Sequence, residues 1–170
     1  MIATLASLLP LATLSILTAA TLAPWLPTTS ATLALALLPA ATLHYWALRR
    51  PSAIPSLAVL FCGLSADIML AGPPGFWTTI YALAWTIGLL QRPSATRYWK
   101  FGRWGLFTIA MTVCVGAAAL IGEIVAAPTG SWLDLLTAWA LTILAYPAVA
   151  GLLRLCDFAP SDGRFDLESA

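Results

Sequence analysis

Long apolar blocks follow one another along this chain, and short stretches of proline, glycine, serine or basic residues divide them. The blocks are Ile2–Leu22, Ala31–Leu48, Ile54–Ala71, Phe76–Gln91, Trp104–Ala127 and Trp132–Leu155. At about 1.5 Å of rise per helical residue, roughly 20 residues cross the hydrocarbon of a bilayer, so each block reads as one transmembrane helix. The first has no Lys or Arg ahead of it and lacks the basic start of a secretory signal; it reads as a span bent near Pro10. The second also holds an internal proline, Pro39. The dividers are an uncharged turn over residues 24–30, Arg49-Arg50-Pro51, Gly72-Pro73-Pro74-Gly75, a basic loop from Arg92 to Arg103, and a turn holding Pro128, Gly130 and Ser131. The expected fold is all-α: an integral membrane bundle of six transmembrane helices over residues 1–155, followed by a polar cytoplasmic tail over residues 156–170.

Composition supports this reading. Of the 170 residues, 61% are hydrophobic and only 9% charged, against about 25% charged in soluble domains. Too little polar surface remains to cover a water-facing shell, and no length remains for a soluble catalytic domain. A net charge of +1 gives no electrostatic case for nucleic acid. Cys62, Cys114 and Cys156 share no metal-ligand spacing and read as small apolar residues.

The basic residues set an orientation. Arg49 and Arg50 follow the second block; Arg92, Arg97, Lys100 and Arg103 follow the fourth; Arg154 and Arg164 close the sixth. With six spans all eight cations fall on one side, and the positive-inside rule puts that side, with both termini, in the cytoplasm. Trp25, Tyr45, Trp46, Trp77, Trp99, Trp104 and Trp132 sit near block ends, where aromatic belts are expected. His44 reads the same way.

Candidate chemistry is sparse. Asp67 interrupts the third block, and a carboxylate inside a membrane is costly enough to need a reason. It is either a proton relay or ion ligand, or a brace bonded to Ser65, a neighbouring hydroxyl or the backbone. A pure brace is expected to tolerate Asp67→Asn almost silently. Asp67, Glu123 and Asp134 collect toward the outer face, and a carboxylate pair of Asp67 and Glu123 is conceivable. No histidine stands at that level, so neither catalysis nor a metal centre is expected, and no cofactor is implied. Gly116, Ala117, Ala118, Ala119 and Gly122 place small residues at helical spacing and allow close helix contact. A small-solute-binding transporter subunit, with Asp67 and Glu123 in an interhelical pocket, is the alternative to a scaffold.

The order Tyr45-Trp46, Pro51, Gly63-Leu64 with Asp67, then Gly72, Pro74 and Gly75, resembles the rod shape-determining MreD family. These motifs cover about 30 residues of the chain. The resemblance implies a six-helix bundle similar to the substrate-binding subunit of vitamin transporters, in the bacterial inner membrane. It implies a non-enzymatic role in cell elongation, working with the bitopic protein MreC, the cytoskeletal MreB, RodA and a class B penicillin-binding protein in peptidoglycan synthesis. It makes Gly63, Asp67, Gly72, Pro74 and Gly75 the residues of partner or structural contact. The basic loops carrying Arg49, Arg50, Arg92, Arg97, Lys100 and Arg103 are then set toward the cytoskeleton and anionic lipid.

Overall fold

A computed structural model describes residues 2–21, 30–70, 73–97, 100–125 and 131–155, with side-chain surroundings over 9–19, 33–70, 73–93, 102–124 and 131–155. Gly72, the residue 24–29 turn, Trp25, Trp99, Cys156 and the tail over 156–170 lie outside the described residues. The side chains of Arg97 and Lys100 do as well. Seven α-helices account for nearly all of what is described: α1 (Ile2–Thr21), α2 (Ser30–Ala36), α3 (Leu38–Arg49), α4 (Ser56–Met69), α5 (Phe76–Arg97), α6 (Lys100–Val125) and α7 (Trp132–Leu155). One 3₁₀ turn, Pro51–Ala53, leads into α4, and the described residues contain no strand.

The helices depart from the apolar blocks at three places, each with a local cause. The second block is two helices, broken at Leu37. Pro39 brings no N–H and sets its ring against the carbonyl four residues back. Leu37 keeps helical angles (φ −84°, ψ −12°), and bonds from its N–H to the Leu33 and Ala34 carbonyls (3.1 and 3.2 Å) carry the backbone across. At the break the Ala36 carbonyl accepts the Tyr81 hydroxyl of α5 at 2.8 Å. The third block starts at Ser56, because Pro51 and Pro55 bracket the 3₁₀ turn before it. The expected basic loop is almost entirely helix. α5 runs on through Pro93 to Arg97 and α6 begins at Lys100. Arginine, lysine, alanine and glutamine are all good helix formers, so polarity ends the apolar block without ending the helix.

α5 is the central helix. It packs against α3, α4 and α6, while α7 closes on α2, α3 and α6, and α1 lies on α3. Two glycines fix how closely α5 is approached. A Cβ on Gly63 of α4 would overlap the Thr78 Cα of α5, and one on Gly88 of α5 would meet the Ala47 Cβ at 2.7 Å and the His44 carbonyl at 3.2 Å. Between these contacts lies the core, with Trp46, Tyr81, Phe107, Leu43, Ile80 and Met111 fully buried.

Tyr45, Trp46 and Trp77 are buried in this core rather than ringing the ends of the bundle, which corrects the aromatic-belt reading for all three. Their rings fill space between helices, and the Trp46 indole N–H finds a partner there in Thr13 Oγ1 of α1 at 3.2 Å. Trp104 and Trp132 are exposed. The Trp104 indole donates to the Ile143 carbonyl of α7 at 3.1 Å. That carbonyl lies four residues before Pro147, where no backbone N–H can reach it.

Two segments are long and apolar enough to cross a membrane, Gly102–Ile124 and Trp132–Leu155. Only 33% and 28% of them is buried inside the protein, whereas a soluble core helix is mostly buried. Shorter apolar helical segments lie at Leu9–Ala19 and Ser56–Met69.

Candidate functional site

The Asp67 carboxylate sits in the last turn of α4 and is 3% exposed. It faces the start of α5. The tight turn from Pro73 reaches Gly75 at φ +91°, a backbone angle that side chains resist, so the residue preceding α5 is one that has no side chain with which to cap it. Asp67 supplies the missing cap from the previous helix. Its Oδ1 accepts the Trp77 N–H at 2.6 Å, and its Oδ2 accepts the Gly75 N–H at 2.9 Å and the Thr78 hydroxyl at 2.7 Å. The Thr78 N–H approaches Oδ2 at 3.4 Å. A helix begins with N–H groups that have no internal partner and with the positive end of its dipole, and a carboxylate satisfies both. One turn back on α4, Gly63 admits the Thr78 backbone. Gly63, Asp67, Gly75 and Thr78 thus form one unit, a helical hairpin closed by a borrowed cap. Pro74 stands exposed at its tip.

Among the described residues every hydrogen-bond partner of Asp67 is a donor, and all come from the turn and α5. Both carboxylate oxygens are engaged in holding the turn, by backbone N–H groups and by the Thr78 hydroxyl. Ser65 is not a partner: its hydroxyl turns to the Phe61 and Cys62 carbonyls of its own helix, at 2.7 and 3.0 Å. Glu123 stands exposed on α6 and is not brought to Asp67. Asp134 belongs to a capping box at the start of α7. The Ser131 hydroxyl donates to Asp134 Oδ2 at 2.8 Å, and the Asp134 N–H returns to Ser131 Oγ at 3.2 Å. Among the described residues no group of His, Cys, Asp and Glu could hold a metal ion.

Comparison of the chain with protein-family models, with curated proteins and with solved structures finds no match.

A second polar site lies at the other end of α5. His44 is fully buried, not interfacial. Its Nε2 is 2.8 Å from Gln91 Oε1, and the Gln91 amide donates onward to the Leu106 carbonyl at 3.1 Å. That onward bond fixes the amide orientation, so Nε2 carries the proton and Nδ1 is a buried acceptor with no partner. The ring lies edge-on to Phe107 and Tyr146, which stack on each other with centroids 3.7 Å apart. Three helices (α3, α5, α6) are tied by one histidine and one glutamine. The sequence carried a usable signal: His44 and Gln91 each stand one to five residues before an arginine that ends an apolar block, at matching depth.

The cations gather at this same end. Arg49 closes α3, and the Arg50 N–H caps it on the Trp46 carbonyl at 2.7 Å. Arg92 and Arg97 lie in the last turns of α5, Lys100 and Arg103 in the first turn of α6, and Arg154 in the last turn of α7. They occupy helix ends rather than loops.

Proposed function

We propose that this chain is a non-enzymatic scaffold of the bacterial inner membrane, an MreD-like subunit that links a bitopic MreC-like partner to the machinery of lateral wall synthesis. The observation that carries the reading is the hairpin itself. Gly63, Asp67, Pro74 and Gly75, four of the residues on which the family resemblance rests, come together as one structural unit. Asp67 acts in it by holding the turn rather than by touching a partner. The accessible part is the outer face of α4, where Leu57, Phe61, Leu64 and Ile68 recur at helical spacing and stand 48–71% exposed. In water such a stripe is a liability; in a bilayer it is a surface for lipid or for a partner helix. The six apolar segments, the large exposed apolar side chains on α4, α6 and α7, and the one-sided cations support a multi-pass reading.

The test is affinity purification of the tagged full chain in mild detergent, with mass spectrometry of what accompanies it. Recovery of a bitopic MreC-like protein is expected, and Phe61→Ala with Ile68→Ala should reduce it severalfold at unchanged helix content. Recovery of an energising ATPase or a retained small solute would overturn the scaffold reading in favour of a transporter subunit.

A further inference from the structure

The seam between α6 and α7 at the basic end combines charge, an aromatic wall and apolar flanks in a way the scaffold role does not use. α6 and α7 are antiparallel neighbours, locked by the Phe107–Tyr146 stack and by the Trp104 bond to the Ile143 carbonyl. Arg103 lies one turn before Phe107, about 6 Å along α6, and Arg154 lies eight residues after Tyr146, about 12 Å along α7. Both run toward the same end of the bundle. Arg103 is half-buried and Arg154 exposed, while the described acids, Asp67, Glu123 and Asp134, lie toward the opposite end of the bundle. Beside them Trp104, Ile109, Leu152 and Leu155 present 42–65% of their surfaces outward.

We propose that this seam binds the phosphate headgroup of an anionic membrane phospholipid, with Arg103 and Arg154 as its two cationic contacts. Arginine offers planar, paired donors that suit a phosphate, and two arginines on adjacent helices can grip one group from both sides. Trp104 is amphipathic and already anchored by its N–H, so its ring stands as a fixed wall at glycerol depth. The apolar side chains that continue along α6 and α7 receive the acyl chains. Free phosphate would have no use for that apolar continuation, which is why the ligand is a lipid. Basic recesses between membrane helices on the cytoplasmic side commonly take anionic headgroups.

The inference rests on the membrane reading, and one preparation separates the two. If alkaline carbonate washes the full chain off membranes, the membrane reading fails. If the chain stays, native mass spectrometry of the detergent-purified protein with equimolar phosphatidylglycerol and phosphatidylcholine of matched acyl chains decides the lipid site. The wild type should retain phosphatidylglycerol preferentially. Arg103→Gln with Arg154→Gln should lower that preference about fivefold for each arginine removed, while Arg92→Gln with Arg97→Gln, which removes equal charge elsewhere at the same end, should leave it. Absence of preference in the wild type overturns the proposal without any variant. Equal losses in both double variants, or displacement of lipid by inorganic phosphate, overturn it too.

Discussion

Asp67 shows how one side chain can hold two helices. A buried carboxylate is costly unless it is hydrogen-bonded, and here the donors are backbone N–H groups that themselves lack partners at a helix start. Each side of the contact removes the other's penalty. Asp67→Asn is therefore not silent, contrary to the expectation for a brace. An asparagine can present its carbonyl either to Trp77 or to Gly75 and Thr78, and whichever way it turns, its NH₂ group faces a backbone N–H. The loss should be about 1–3 kcal/mol, and Thr78→Val, which removes a single hydroxyl donor, about 1 kcal/mol. Thermal unfolding in detergent followed by circular dichroism measures both. An Asp67→Asn protein melting with the wild type would remove the cap from the account. That Asp67 mattered was legible from one charge in an apolar run. The kinds of partner, a hydroxyl and the backbone, were legible as well, but not which ones: the hydroxyl is that of Thr78 on the next helix rather than Ser65, and the N–H groups are ones that every residue but proline possesses. His44 was misread in the opposite direction: a lone polar residue at a block end looked interfacial, and its match in depth to Gln91, which takes its Nε2 across the core, went unused.

At the scale of helices, hydropathy marks where a chain meets lipid, not where it stops being helical. That is why the helical character of the six apolar blocks was legible while the basic stretch after Gln91 was read as loop and the break at Leu37 was missed. Prolines behave differently by context. Pro93 and Pro147 lie inside continuous helices, while Pro39 follows a break. Where a proline leaves a carbonyl open, a side chain from the next helix can take it, as Trp104 does for Ile143. The α4–α5 contact makes a sharper prediction. Gly63 has no room for a methyl group, and its obstacle is the Thr78 backbone, which cannot swing aside. Gly63→Ala should cost about 1–3 kcal/mol by overpacking. Gly116 faces open space on α6, so Gly116→Ala should be neutral or stabilise by about 0.4–1 kcal/mol through the unfolded chain. The two melting temperatures in the same detergent should move in opposite directions or by very different amounts. Equal shifts would mean that the close approach of α4 to α5 contributes nothing.

For the whole molecule the governing feature is polarity along the bundle. Arginines end α3, α5 and α7 and begin α6, while the carboxylate cap of α5 and the capping box of α7 lie at the opposite ends of those two helices. This division serves two purposes at once. Carboxylates favour helix N-termini and cations favour C-termini, so Asp134 at the start of α7 and Arg154 at its end both stabilise that helix. On the proposed membrane reading the same division would fix insertion, because an anionic cytoplasmic leaflet attracts the arginine end and translocation of arginines is opposed. α6 is the exception, with Lys100 and Arg103 at its N-terminus against its own dipole, an arrangement that the proposed topology would require. The orientation is therefore predicted with a defined test. In a chain with Cys62, Cys114 and Cys156 replaced by alanine, Ser131→Cys should react with a membrane-impermeant maleimide in intact spheroplasts, and Arg97→Cys only after permeabilisation. The reverse pattern would place the arginine end outside and remove both the cytoplasmic docking surface and the inner-leaflet lipid site together, since each depends on that end facing the cell interior.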